Sequence, residues 1–146
     1  MAFAEIARKF GRCATVLGLD ANRVTRDGTE VWEVFINGGR KPTGIKVMDW
    51  VKRAESLGAG EVVLNVMNAD GTTAGYDLKM TAAVSEAVKV PVVASGGAGG
   101  PQHMLDVLTT GRADAALAAS IFHFGHYTVG QVKQFLAGHG VPVRIV

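Results

Sequence analysis

The feature that most constrains the fold is a short apolar strand followed by a helix, which recurs four times along the chain. A lead helix at residues 1–10 comes first, and the four repeated units then span residues 13–57, 61–88, 91–110 and 113–139. Strands that alternate with helices at this spacing predict βαβ units and a parallel sheet. No linker interrupts the pattern, so we predict a single α/β domain over residues 1–146.

The first unit also contains a predicted β-hairpin. Asp27-Gly28 is a strong turn signal, and it separates two stretches of strand character at residues 22–25 and 31–36. Glycine and proline over residues 38–44 predict a loop before the helix of this unit. A last short strand is predicted at residues 142–145.

Four βα units are half of the number that a closed parallel barrel contains. Four strands could form a small open sheet with helices on both faces. If the strands instead keep the curvature of a barrel, the concave face and one edge at each end stay exposed. Such a half-barrel needs a partner, which can be a complementary half or a second copy of the chain.

Composition restricts the class of protein. Apolar residues make up 48% of the chain and charged residues 19%, which is typical of a globular domain. The net charge of +2 favours neither a nucleic acid nor a membrane as partner. The single cysteine, Cys13, excludes an internal disulfide and begins an apolar strand, so we predict that it is buried and that the protein is cytoplasmic.

Polar or glycine-rich residues follow each of the four predicted parallel strands. In parallel α/β folds the carboxyl ends of the strands form the ligand site. Glycine lets the backbone approach a phosphate closely, so we predict a phosphorylated small-molecule ligand. The candidate site residues are Asp20, Asn65, Asn68, Asp70, Gly71, Ser95, Gly96, Gly97, Ala119 and Ser120.

Each of these residues also has a structural interpretation. Asp20 is a candidate for proton transfer, but it could equally cap a turn or pair with Arg23. Asp70-Gly71 forms turns whatever the function of the protein. His123 and His126 are three residues apart, yet no cysteine or carboxylate lies near enough in sequence to complete a metal site. We therefore predict no metal and no organic cofactor.

Motifs along the whole chain resemble those of one family. They include Leu19-Asp20-Ala21-Asn22-Arg23, Asp70-Gly71-Thr72, Ala94-Ser95-Gly96-Gly97-Ala98-Gly99 and residues 113–124. In combination they are similar to the carboxyl-terminal half of the cyclase subunit of imidazole glycerol phosphate synthase, from histidine biosynthesis. The resemblance implies the (βα)4 half of a TIM (βα)8 barrel of the ribulose-phosphate-binding type, with a parallel sheet and outer helices.

The resemblance also implies a reaction. Members of this family take ammonia from a glutaminase subunit. They cleave and cyclise a formimino-ribulosyl substrate (PRFAR) into imidazole glycerol phosphate and aminoimidazole carboxamide ribotide (AICAR). Two aspartates act as acid and base, and Asp20 matches one of them. Glu61 matches one charged residue of the ring through which ammonia enters from the glutaminase.

Further residues match the family's site, and two depart from it. Positions that line the site or hold a phosphate are matched by Asp70, Gly71, Ser95, Gly96, Gly97, Ala119 and Ser120. Asn65 stands where the family usually has threonine, and Asn68 where it usually has aspartate, so Asn68 lacks a charge beside the substrate.

The other aspartate and the other phosphate site of the family belong to the amino-terminal half of the barrel. The alternative function is therefore that of a self-associating half-barrel, which binds phosphorylated ligands without efficient turnover.

Overall fold

The strands of this chain join in a six-stranded sheet in the computed structural model, which describes residues 2–145. Met1 and Val146, the two ends of the predicted domain, lie outside the described residues. The strands are β1 Val16–Arg26, β2 Thr29–Ile36, β3 Lys41–Lys46, β4 Glu61–Val66, β5 Val92–Ser95 and β6 Ala115–Ala116. The helices are α1 Ala2–Phe10, α2 Val47–Ser56, α3 Leu78–Ala87, α4 Pro101–Thr109, α5 Ser120–His123 and α6 Val129–Gly138.

The sheet is mostly parallel and has the order β3-β2-β1-β4-β5-β6. The parallel part consists of β1, β4, β5 and β6, which follow one another in the sheet as they do along the chain. A helix follows each of these strands, after the hairpin in the case of β1. Sequential parallel strands with helical crossovers are the architecture of part of a TIM barrel. The predicted α/β class is therefore confirmed.

Among the described residues, helices cover one face of the parallel sheet and leave the other uncovered. Leu17 and Leu19 of β1 are buried together with residues of α2 and α3. Because side chains alternate between the two faces of a strand, Val16 projects from the opposite face, and 46% of its surface is exposed. We call this opposite face the uncovered face. In β1, β4 and β5 it comprises Val16, Gly18, Asp20, Glu61, Val63, Asn65, Val93 and Ser95.

The predicted hairpin is present, but the loop predicted over residues 38–44 is limited to a turn that ends at residue 40. Residues 41–46 form β3, which pairs antiparallel with β2. The Thr43 hydroxyl donates to the carbonyl of Val34 at 2.7 Å, and the Gly44 N–H donates to the Glu33 carboxylate at 2.7 Å. These bonds hold the segment against β2 despite its glycine and proline content, which an edge strand tolerates.

Two strand predictions near the carboxyl end are corrected. The strand at the start of the unit predicted over residues 113–139 is limited to β6, Ala115–Ala116. Residues 142–145 are not a strand; Val141 and Val143 instead pack against the core formed by α4, α5 and α6. A short apolar run looks the same in sequence whether it pairs in a sheet or packs as a tail.

Cys13 does not have the predicted burial. It lies in a short 3-10 turn, Arg12–Ala14, that precedes β1, and it is exposed. The strand begins at Val16, three residues later than an apolar run from Cys13 suggests. Among residues 2–145, no helix is both long enough and apolar enough to cross a membrane.

Candidate functional site

Three polar side chains form a row across the carboxyl ends of the central strands. Asp20 of β1 lies opposite Asn65 of β4, and Asn65 lies opposite Ser95 of β5. The Asn65 Nδ2 donates to the Asp20 Oδ1 at 3.2 Å. All three residues are half-buried on the uncovered face. The Asp20 carboxylate is therefore held by a neighbouring amide while it stays accessible from that face.

A cavity of about 50 Å³ adjoins this row, and we call it the strand-end cavity. Its walls come from the loops that follow β4, β5 and β6, and they are built of small residues. Backbone amides rather than long side chains therefore line much of its surface. Of the predicted site residues, it is lined by Asp70, Gly71, Ser95, Gly96, Gly97, Ala119 and Ser120.

Two of these glycines are required by the packing of the loops. Gly97 has φ +104°, and a Cβ there would lie 2.0 Å from the carbonyl oxygen of Gly75. The N–H of Gly75 in turn donates to the carbonyl of Gly97 at 2.7 Å. Gly96 has φ +91°, and a Cβ at this position would lie 2.9 Å from the carbonyl oxygen of Val66. The β4–α3 loop (residues 67–77) and the turn after β5 are thus in direct backbone contact.

Gly71 differs from these two glycines. It has φ +73°, but a Cβ at this position would meet nothing within 4 Å. Its side-chain position opens toward free space at the cavity wall. Only the backbone conformation therefore restricts residue 71 to glycine.

Asn68 and Glu61 do not line the cavity. The Asn68 Oδ1 accepts the backbone N–H of Arg23 at 2.5 Å, so its side chain connects the start of the β4–α3 loop to β1. Glu61 begins β4 on the uncovered face, four residues before Asn65. At the rise of an extended strand this separation is about 13 Å. Glu61 consequently lies toward the amino end of the strands, away from the cavity.

The structure also reveals an ion pair that was not predicted from the sequence. Arg23 donates from Nε and Nη2 to the two carboxylate oxygens of Asp77, at 2.6 Å each. Asp77 also caps α3 by accepting the N–H of Met80 at 2.9 Å. The hydrogen bond with Asp77 is the main reason that the pKa of Arg23 is raised. Arg23 therefore pairs with Asp77, where the sequence had suggested Asp20.

Two further side chains form hydrogen bonds with the backbone of the loops that follow β5 and β6. The N–H of Gly99 donates to the Nδ1 of His103 at 3.0 Å, and this histidine is half-buried. The Tyr76 hydroxyl donates to the carbonyl of Leu117 at 2.8 Å. Burial raises the pKa of Tyr76 well above its ordinary value. An acidic residue followed by a helix could have indicated Asp77 as a cap, but no local pattern indicates these two partners.

An open groove of about 640 Å³ adjoins the cavity and reaches Phe124, His126 and Tyr127. Phe124 is 69% exposed, and both His123 and His126 are exposed as well.

Within residues 2–145, no group of three or more histidine, cysteine, aspartate or glutamate side chains is arranged to hold a metal ion.

One comparison with known proteins bears on these observations. The family model described as "Histidine biosynthesis protein" matches residues 1–128 of the chain. The matched region contains every strand, the Asp20–Asn65–Ser95 row and all residues of the strand-end cavity. A mostly parallel sheet whose loops meet at the carboxyl ends of the strands is also the architecture of this family, which consists of TIM-barrel enzymes. The chain therefore belongs to the histidine biosynthesis protein family.

Proposed function

We propose that the chain supplies the carboxyl-terminal half of a cyclase that converts PRFAR and ammonia into imidazole glycerol phosphate and AICAR. The observation that carries this proposal is the row in which a carboxylate, Asp20, is separated by Asn65 from Ser95 at the wall of a small cavity. A phosphorylated substrate bound in the cavity would extend along the uncovered face toward that carboxylate.

The strand-end cavity is the proposed site for one phosphate of the substrate. Glycine and alanine let a phosphate reach the backbone N–H groups, which suit an anion. The Ser95 hydroxyl can add a hydrogen bond. A carboxylate repels a phosphate dianion, so we assign Asp70, at the cavity wall, to the hydroxyl groups of the substrate. The proposed donors are the backbone N–H groups of five residues that line the cavity: Gly71, Gly96, Gly97, Ala119 and Ser120.

Asp20 is the proposed acid and base of this half. Ring closure removes a proton from the attacking nitrogen, and cleavage delivers a proton to the leaving group. A carboxylate can accept the first proton and donate it again. Asn65 donates a hydrogen bond of 3.2 Å to the Asp20 carboxylate. This bond orients the carboxylate before the reaction, so less reorientation is needed when the proton is transferred.

Ammonia is proposed to arrive from the amino end of the strands. Glu61 lies there on the same face as Asn65, with Val63 between them. A glutaminase subunit docked at that end would release ammonia onto the uncovered face. The path requires this face to be enclosed, so we propose a complementary half-barrel as a second partner.

The test is a mixing assay with the amino-terminal half of a cyclase of this family and ammonium as nitrogen source. We expect PRFAR turnover only with both halves present. Asp20→Asn should lower the turnover rate by about 10²–10⁴-fold, because an amide cannot exchange the proton, while the substrate still binds. The matched control is Asp27→Asn in the exposed β1–β2 turn, where φ +50° suits asparagine.

Two results would contradict the cyclase proposal. One is the absence of any turnover gain when the folded halves are mixed. The other is an Asp20→Asn complex that retains the rate of the Asp27→Asn control. If mixing the halves gives no gain in turnover, phosphate binding by the chain alone still has to be measured.

The open edges of the sheet favour a second candidate, a self-associating half-barrel that binds phosphorylated ligands without efficient turnover. In the described chain, β2 pairs with β1 only from Asp20 onward, so residues 16–19 have a free edge. At the other end, β6 pairs with β5 alone. A second copy could close both edges with twofold symmetry. Phosphate binding without turnover in the mixing assay would favour this candidate.

A further inference from the structure

We infer that Arg23 is a positioning residue that sets the shape of the strand-end cavity by holding both ends of the β4–α3 loop. The inference rests on the proposed function, because the loop matters only if the cavity binds the substrate. Arg23 lies on β1, three residues after Asp20, and touches neither the cavity nor Asp20 through any described hydrogen bond.

Arg23 binds the two ends of the loop with different groups. Its backbone N–H donates to Asn68 at the start of the loop, at 2.5 Å. Its guanidinium makes the two 2.6 Å bonds to Asp77 at the end of the loop. The eight residues of chain between Asn68 and Asp77 are therefore spanned by one residue of the neighbouring strand.

The loop held in this way forms one wall of the cavity. Asp70, Gly71 and Thr73 line it directly. On the other side, Gly75 bonds to Gly97 of the turn after β5. The loop thus lies between the strand that carries Asp20 and the glycine turn, and a shift of the loop changes the cavity without changing its chemistry.

The pair with Asp77 is suited to this role by its burial and geometry. The Asp77 side chain is 5% exposed, whereas that of Arg23 is 36% exposed. A second contact, from Arg23 to the more exposed Glu30, is longer at 3.6 Å. Loss of the guanidinium would leave the buried carboxylate of Asp77 without its charged partner, which favours rearrangement of the loop end.

Arg26 provides a matched control on the same strand. It makes a comparable pair with the buried Glu33, with bonds of 3.2 Å from Nε and 2.7 Å from Nη2. Glu33 binds β3 through Gly44, however, and not the β4–α3 loop. Arg26→Gln and Arg23→Gln therefore remove similar ion pairs from different parts of the fold.

The experiment compares Arg23→Gln, Arg23→Lys and Arg26→Gln in the full chain. Amide hydrogen exchange over residues 69–75 reports on the loop, and inorganic phosphate binding is followed by ³¹P NMR. For Arg23→Gln we expect faster loop exchange and about tenfold weaker phosphate binding, because the loop must be ordered on binding. Arg23→Lys keeps the charge and one bond, so it should show smaller changes in loop exchange and in phosphate affinity. Arg26→Gln should have the loop exchange and the phosphate affinity of the unchanged chain.

The results separate this inference from the proposed function. Unchanged loop exchange in Arg23→Gln would overturn the positioning role. Arg26→Gln would also overturn it if this variant lost as much phosphate affinity as Arg23→Gln. If the unchanged chain does not bind phosphate, the proposed phosphate site fails, while the loop exchange still reports on Arg23. In the mixing assay, a positioning role predicts a larger effect of Arg23→Gln on KM than on kcat.

Discussion

The carbonyl oxygen of Gly75 decides what residue 97 can be. A methyl group at 97 would lie 2.0 Å from that oxygen, so even alanine would push the two loops apart. Glycine at residue 97 can therefore be explained by the close packing of the two loops as well as by the close approach of a ligand to the backbone. A bulky substitution at 97 therefore perturbs the loop contact before it reports on any ligand.

Gly71 is the better residue for testing ligand approach. Gly71→Ala should cost about 1–2 kcal/mol of unfolding free energy, because only its positive φ is unfavourable for alanine. Gly97→Ala adds a clash with backbone to the same cost, so we expect a loss of about 3 kcal/mol. Urea denaturation measures both, and the phosphate affinity of Gly71→Ala can then be measured on a folded protein.

The control for both glycines is Gly138→Ala at the end of α6. A Cβ there meets nothing within 4 Å, so alanine should leave the stability unchanged or raise it slightly. Equal losses of unfolding free energy in Gly97→Ala and Gly71→Ala would show that the backbone at Gly75 moves to accommodate a methyl group at residue 97. That result would contradict the requirement for glycine at 97.

At the scale of elements, the antiparallel extension β1–β2–β3 is held by one buried carboxylate. Glu33 accepts hydrogen bonds from Arg26 and from the N–H of Gly44, and only 3% of its surface is exposed. The bond from Arg26 is the main reason that the pKa of Glu33 is lowered from its ordinary 4.5. The charged form therefore stabilises the folded extension.

This lowered pKa predicts a pH dependence of stability. A carboxyl group whose pKa is lower in the folded chain contributes fully above its unfolded pKa, and the contribution is lost as the pH falls through the folded pKa. Glu33→Gln should therefore be less stable than the unchanged chain at pH 7, and its stability should fall less on acidification below the ordinary value of 4.5. Urea denaturation from pH 7 to pH 3 measures both slopes.

Glu86 offers a comparison on the surface. It pairs with Arg112, but its side chain is 58% exposed, and exposed pairs contribute little to stability. Glu86→Gln should follow the unchanged chain at each pH. A Glu33→Gln variant that also follows the unchanged chain would show that the buried pair does not stabilise the extension.

At the scale of the whole molecule, the uncovered face and the two free edges determine how the chain associates. Exposed apolar surface on a sheet with unpaired strands favours pairing with another chain. Val16 lies at a free edge of this face and is 46% exposed. Association through the uncovered face should therefore depend on Val16.

We expect the chain to self-associate alone and to form a one-to-one complex with a complementary half-barrel. Val16→Lys should weaken both associations, because a charge would have to be buried at the contact. Sedimentation velocity measures both. Ile36→Lys is the control, since Ile36 is similarly exposed at 44% but ends β2 in the hairpin. A monodisperse monomer with native-like spectra would contradict closure by self-association.

The alternation of parallel strands and helices was determined by the sequence itself. Apolar strands and amphipathic helices have different periods, and each glycine turn marks where one ends. Because parallel strands have their carboxyl ends at one edge, the same pattern predicted that Asp20, Asn65 and Ser95 lie near each other. These inferences need only local periodicity and one rule of topology.

Only the tertiary structure decided the partners of individual side chains. Arg23 and Asp77 are 54 residues apart in sequence, and Asn68 binds a backbone N–H 45 residues away. The strand β3, the exposure of Cys13 and the absence of a strand at residues 142–145 likewise depend on what packs against each segment. Local sequence patterns report how a segment presents its own side chains, whereas the competing contacts that decide its final environment come from distant parts of the chain.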